Sequence, residues 1–324
     1  MEDEPDPSPS SMTALSIIIV TRNTCQLTCA AIESVLSGQD NPSREIFLVD
    51  NGSTDETQAV VAKRFPSVHL LRSDRNLGFA RANNLAAHKA HGQFLLLLNS
   101  DAVLQPESLA AAVAWMRAHP DCGVAGVQLL NPDGSPQNSI ANFPTLATEL
   151  FNKSLLRRLC PSRYPGKEQR FTEPVEVETV VGACMIIRRD LWDAIGGLDE
   201  RYFFFLEETD FCLQTQRLGK RVMHLPQITV WHGQGQTAKK NSPAARIEYW
   251  RSRYIYFAKN HSLSVRLTLV IGLLLRLLTN CLASGLLAVL TLGRSARWKN
   301  KWQVNSALSL WHLRGKPEEM GLPR

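Results

Sequence analysis

The 324-residue sequence has no CxxC pair, and its seven cysteines (25, 29, 122, 160, 184, 212 and 281) are odd in number and scattered. That pattern excludes a disulfide framework and a zinc ribbon, and a reducing compartment is the simplest reading. No repeat of fixed period occurs, which argues against a solenoid. Glycine (19) and proline (17) are not enriched, so collagen-like and low-complexity architectures are out. The first residues, MEDEPDPSPSSM, lack a basic stretch followed by an apolar one. They read as an acidic disordered lead over residues 1–13 rather than a signal peptide.

Apolar residues make up 44% of the chain and charged residues 20%, enough for a sizeable core. The length suggests about two units. Residues 246–324 carry 13 Lys/Arg against 3 Asp/Glu, a net of +10, which leaves −4 for the first 245 residues. A mildly acidic body with a basic tail points to an anionic partner of the tail, membrane or nucleic acid.

Short β-branched or leucine-rich runs alternate with helical spacing in the first third. Strands are expected at Leu15–Val20, Glu45–Asp50, Val68–Arg72 and Phe94–Leu98. Helices are expected at Leu27–Leu36, Thr54–Arg64 (capped by Ser53 or Thr54) and Ala80–His91, with another opened by Pro106. Alternation of this kind implies a parallel α/β sheet, whose ligands gather at the carboxyl ends of strands. Three of the strands end in polar residues, Thr21-Arg22-Asn23, Asp50-Asn51 and Asn99-Ser100-Asp101. Residues 131–174, with six prolines, read as a long loop with one short helix near Ala147–Leu159. Strand character returns at Glu176–Arg188. Phe211–Leu218 looks helical, and two short strands, Arg221–His224 and Ile228–Trp231, lead to His232.

Three clusters carry chemistry. Asn99 and Asp101, delivered by an apolar strand, offer oxygens to a hard cation such as Mg2+ or Mn2+. Glu207, Glu208 and Asp210 follow the aromatic run Tyr202–Phe205, which would desolvate a carboxylate and raise its pKa toward that of a general base. His232 leaves a strand into a Gly-rich stretch and can join a carboxylate as a metal ligand.

These pieces together resemble the family 2 inverting glycosyltransferases of GT-A fold, in the rhamnosyltransferase-like or galactofuranosyltransferase-like subgroup. The matching stretches are IIIVTRN (17–23), VDNGSTD (49–55), RNLGFARANN (75–84), LLLLNSD (95–101), VVGACMIIRRD (180–190), GGLDERYFFFLEETDFCLQTQRLGKRV (196–222) and VWHGQGQT (230–237). The resemblance implies a GT-A domain over residues 14–260 and a donor that is a nucleotide-diphosphate sugar, dTDP-rhamnose in the first place. It implies that Thr21 and Asn23 line the nucleotide pocket and that Asp50 contacts the base, supported by Asn51 and Asp55. Asn76, Gly78 and Asn83 would shape the nucleotide site. Asn99 and Asp101 would occupy the DxD position, with Asp101 and His232 on the metal. Glu208 would be the base, with Glu207 as the second choice. Two departures stand out: Asn99 replaces the first Asp of DxD, and Glu208 stands where the family usually has Asp.

Residues 261–324 form the basic, apolar remainder. Leu267–Leu292 holds one charge, Arg276, whose insertion at a bilayer centre costs about 2.5–3.5 kcal/mol. Thr268, Gly272, Arg276, Asn280 and Ser284 recur every four residues as a polar stripe. Basic residues flank both sides, which disfavours a single crossing and favours an interfacial helix or hairpin on anionic lipid; a buried core helix is the bland alternative. The expectation is a membrane contact through residues 263–316 on the cytoplasmic face, a lipid-linked glycan acceptor and no nucleic acid. A sugar nucleotidyltransferase is disfavoured because Thr21–Thr24 contains no glycine. A non-catalytic nucleotide-sugar or glycan binder would have lost base or metal residues.

Overall fold

The computed structural model describes residues 13–38, 42–161, 163–164, 171–233, 243–292 and 294–324. The expected lead up to residue 12, and the stretch 234–237 of the last matching motif, lie outside the described residues.

The first half alternates as expected: β1 (Leu15–Thr21), α1 (Cys25–Leu36), β2 (Arg44–Asn51), α2 (Thr57–Arg64), β3 (His69–Ser73), α3 (Phe79–Ala87) and β4 (Phe94–Asn99). These strands pair in parallel in the order β3-β2-β1-β4. Their apolar runs are buried on both faces: Ile17, Ile19, Leu48 and Leu96 feed one core, and Ile18, Val49, Leu95 and Leu97 the other. The register aligns Thr21 with Asp50 and Val20 with Asn99, so the polar strand ends share one edge.

β5 (Ala102–Leu104), α4 (Ser108–Ala118), β6 (Cys122–Leu130), β7 (Ile140–Ala141), α5 (Leu146–Leu150), α6 (Lys153–Leu159), β8 (Val175–Glu176), β9 (Thr179–Val180), β10 (Cys184–Arg188), α7 (Arg189–Ile195), α8 (Glu207–Arg217) and β11 (Arg221–His232) follow. β10 inserts antiparallel between β4 and β6, and β11 runs parallel to β6. The result is a mixed nine-stranded sheet.

Four expected elements are corrected. α2 begins at Thr57, because the backbone N–H groups of Ser53 and Thr54 donate instead to Asp50 Oδ1 (2.8 Å) and Asn23 Oδ1 (2.7 Å). The helix near 147–159 is two, α5 and α6; Asn152 between them caps the second by accepting from Ser154 N. Strand character over 176–188 resolves into β8, β9 and β10, each paired with a different strand. The two short strands before His232 are one strand. Pro226 falls in the register shift between Leu225 and Thr229, where its missing N–H breaks no ladder.

α9 (Pro243–Asn260), α10 (Leu263–Leu290) and α11 (Ala296–Leu313) complete the chain. α10 and α11 form a hairpin in which Gly285 faces Trp302 and Ser284 accepts from Asn305. α11 returns onto α9, where the Tyr254 hydroxyl meets His312 at 2.9 Å. This third core reaches Tyr202 and Leu206 beside the site. In α10, Gly272 lies against Leu150 and Arg276 donates to the Glu149 carbonyl, so the middle of the polar stripe faces protein. Leu263, Leu267, Ile271, Leu275, Leu278, Leu282 and Leu286 are exposed. The helix is long and apolar enough to cross a membrane, and only 17% of its most apolar window is buried, which is not the pattern of a core helix.

Candidate active site

A cavity of about 310 Å³ opens at the carboxyl edge of β1, β2 and β4. Of the expected site residues it brings together Thr21, Asn51, Asn76, Gly78, Asn99, Asp101, Glu207, Glu208 and His232. Asn23, Asp50, Asp55 and Asn83 are not in its lining.

Those four bond within the surrounding turns and helices instead. Asn23, in a left-handed conformation (φ 54°), accepts from the backbone and hydroxyl of Thr54 and so staples β1 to the turn after β2. Asp55 accepts from Thr57 and from Cys25 N. Asn83 bonds back to the Phe79 carbonyl within α3. Asp50 is fully buried; its Oδ1 accepts from Ser53 N, while its Oδ2 meets no partner among the described residues.

On the lining itself, Thr21 bonds Thr28 (2.6 Å) and Thr24 (2.9 Å), which fixes the end of β1. Asn51 grips the loop before α3: its Nδ2 donates to Asn76 Oδ1 (2.8 Å), and its Oδ1 accepts from Leu77 N (2.6 Å). Gly78 has φ +81°, and a Cβ there would lie 2.4 Å from the Phe203 carbonyl. Only glycine permits that backbone approach without strain.

The candidate metal pair is close. His232 Nε2 lies 3.4 Å from Asp101 Oδ1, and both side chains are largely buried. Gln137 sets the imidazole: its Nε2 donates to the carbonyls of His232 (2.6 Å) and Leu130 (3.1 Å), so its Oε1 accepts from His232 Nδ1–H at 3.0 Å. That leaves the Nε2 lone pair facing Asp101, the orientation a metal ligand needs. Among the described residues no cluster of three His, Cys, Asp or Glu could hold an ion alone. A carboxylate and an imidazole with open positions fit Mg2+ or Mn2+, which complete their shells with phosphate and water. Asn99 Nδ2 stands 3.4 Å from the same imidazole nitrogen.

The acids divide by environment. Phe205 and Leu206 take left-handed conformations (φ 74° and 69°), and this turn starts α8 with Glu207 and Glu208 facing the cavity. Asp210 is tied to Lys259 (2.6 Å) and Asn260 (2.8 Å), a structural role. Glu207 is buried and its Oε2 has no partner among the described residues. Burial, then the neighbouring Glu208 charge, pushes its pKa well up. Burial also raises Glu208, but backbone N–H groups at the helix start oppose the rise. Burial thus favours the protonated form at both carboxyls, and the Glu208 charge adds to the rise at Glu207.

Sequence reasoning missed Gln137 and the contribution of Leu322 and Pro323, which also line the cavity. Neither carries a local signal: Gln137 sits in the proline-rich loop 95 residues from its histidine.

The family model of glycosyl transferase family 2 matches residues 16–196, more than half of the chain. The N-acetylglucosaminyl-diphospho-decaprenol L-rhamnosyltransferase of Mycobacterium tuberculosis is 29% identical over 233 residues, covering 67% of this chain and 75% of its own. Rhamnosyltransferase WbbL of Escherichia coli is 23% identical over 198 residues, covering 58% and 73%. Among solved structures, a mannosyltransferase of Pyrobaculum calidifontis in complex with GDP-Man and Mn2+ matches with a TM-score of 0.55 at 16% identity, over 97% of this chain and 92% of its own. GalNAc-T7 with UDP, GalNAc and Mn2+ matches with a TM-score of 0.56 at 17% identity, over 77% of this chain; the match spans about half of that protein. The fold is the GT-A fold expected from the motifs. This chain belongs to glycosyl transferase family 2.

Proposed function

We propose that this family 2 chain is a metal-dependent inverting glycosyltransferase. It moves a sugar, rhamnose from dTDP-rhamnose in the first place, to a hydroxyl of a lipid-linked glycan in cell-surface polysaccharide synthesis. The observation that carries the reading is the convergence of Asp101, His232 and Glu208 on one cavity. The likeness to the mycobacterial and Escherichia coli rhamnosyltransferases supports the donor and acceptor class.

Asp101 and His232 would hold Mg2+ or Mn2+, which neutralises charge on the leaving diphosphate. Asn51, Asn76 and Gly78 shape the donor side. Glu208 takes the proton of the acceptor hydroxyl, which attacks the anomeric carbon from the face opposite the diphosphate. The departing diphosphate needs no proton, so one base suffices, unlike the carboxylate pair of hydrolases. Residues 14–260 form the catalytic unit. Residues 263–316 meet the cytoplasmic face of the inner or plasma membrane, as a peripheral or hairpin anchor, without nucleic acid. The exposed leucines of α10 and the basic residues around it support that contact.

The test is donor turnover by the full chain with a panel of nucleotide sugars, with Mn2+, with Mg2+ and with EDTA. Metal-dependent turnover of one donor that disappears in Glu208→Gln is the expected result. Donor binding without turnover, unchanged in Glu208→Gln, would sink the reading and leave a binding module.

A further inference from the structure

After α11 the chain reverses through two left-handed residues, Gly315 (φ 77°) and Lys316 (φ 65°). It then runs back along α9 toward the cavity. The Pro317 carbonyl accepts from Trp311 Nε1 (3.1 Å) and Arg251 Nη2 (3.0 Å). Gly321 lies under the Glu248 carboxylate, where a Cβ would be 2.6 Å from Oε2. Glu248 is fully buried on α9, accepts from Arg251 Nη1, and lies 3.9 Å from Arg324. The Arg324 guanidinium covers the Phe203 ring at 4.8 Å and reaches Glu318 at 2.8 Å. So held, Leu322 and Pro323 enter the cavity wall, and the Pro323 carbonyl accepts a hydrogen bond from Asn76 Nδ2 at 2.6 Å. Asn76 Oδ1 is already engaged by Asn51 and Gly78 N, so this Nδ2 is its outward-facing half.

Two further observations bear on what the contact does. With the segment in place the cavity is about 310 Å³. That is the low end of the roughly 300–1,000 Å³ of small-molecule sites. Gly321 is buried against Glu248 and Leu322 is half-buried, but Pro323 and Arg324 are exposed, so the end of the segment rests on the rim.

We propose that Gly321–Arg324 is a displaceable strap, anchored by Glu248, that occupies part of the donor pocket and yields the Asn76 amide when a nucleoside diphosphate binds. This rests on the reading of the cavity as the donor site. Every donor molecule then binds against the strap, and the measured affinity is lower than that of the open pocket by the fraction of time the strap is away.

The experiment titrates the full chain with dTDP, UDP and GDP, each with Mn2+, by calorimetry. Wild type is compared with Arg324→Ala, an exposed change, and with Leu322→Gly. Hydrogen exchange over residues 317–324 of the wild type is followed with and without nucleotide. The expected result is an apparent Kd about three- to tenfold lower in both variants, with faster exchange of the segment on nucleotide binding. Equal or weaker binding by the variants, with exchange unchanged or slowed, overturns the strap while the donor site stands; the segment is then a fixed wall. Absence of binding by every nucleotide to every form overturns the donor-site reading and the strap with it.

Discussion

Glu207 and Glu208 are adjacent, of one type and on one helical turn, yet their surroundings act on them differently. Burial, then the neighbouring like charge, pushes Glu207 toward its protonated form. Glu207→Gln copies that protonated state, so most of the turnover should survive it. Glu208→Gln should lower kcat by about 10²–10⁴, with nucleotide affinity retained. Because burial raises Glu208, the acidic limb of the kcat profile should lie above the ordinary glutamate range, activity falling as pH falls through it. The stability effect of Glu207 has the opposite direction. Its folded pKa is raised, so the folded state holds a proton that the unfolded chain has lost, and stability declines as pH rises from the ordinary glutamate value through the raised one. Melting temperatures across that window should show Glu207→Gln gaining on wild type as pH increases. At His232, Gln137→Ala should weaken Mn2+ binding by about 10–100-fold in a titration with nucleotide present, since the imidazole loses its fixed orientation. The acids, Asp101 and His232 were legible because each ends or begins an element with a clear apolar signature. Gln137 was not, because only the folding of a long loop onto β11 brings it to the histidine.

At the scale of elements, the alternating first half was readable from β1 to β4, where local hydrophobic runs and polar strand ends agree. What escaped was partner choice. Glu176–Arg188 reads as strand, but nothing local says that its last part, β10, inserts antiparallel between β4 and β6. Likewise Asn152 divides α5 from α6 through a side-chain cap that competes with continued helix. The junction of α3 with the aromatic loop offers a sharp test. Gly78 packs on the Phe203 backbone while Phe79 N donates to the same carbonyl at 2.8 Å. Gly78→Ala should cost about 1–3 kcal/mol for the backbone alone, since φ 81° with ψ 178° is a region essentially reserved for glycine. The added clash should displace the loop that carries Phe203–Phe205, seen as a lower urea midpoint together with a raised donor KM.

The whole molecule is a sheet-based body joined to a three-helix layer. The Glu149–Arg253 ion pair, 2.8 Å apart and nearly buried, ties α5 to α9 across that junction. The basic, apolar composition of residues 261–324 was legible, and so was the periodic polar stripe. Which way the stripe faces was not, since that depends on α5 and α11 covering Gly272 and Ser284. On the proposed reading, replacing the exposed Leu278 and Leu282 by Gln should release the chain from anionic vesicles in a cosedimentation assay, each loss worth about 2 kcal/mol of apolar burial. Added salt should weaken binding of the unmodified chain only in part, because the electrostatic share is screened and the apolar share is not.

On the proposed reading, the outward leucines of α10 also bear on how the chain would meet a lipid-linked acceptor. A protein and a lipid-linked glycan confined to the same leaflet search a plane instead of a volume, so the acceptor's effective concentration is set by its surface density. A modest intrinsic affinity for the glycan then suffices for occupancy, and the same water-soluble glycan, cut from its lipid, would be a poor substrate at equal bulk concentration.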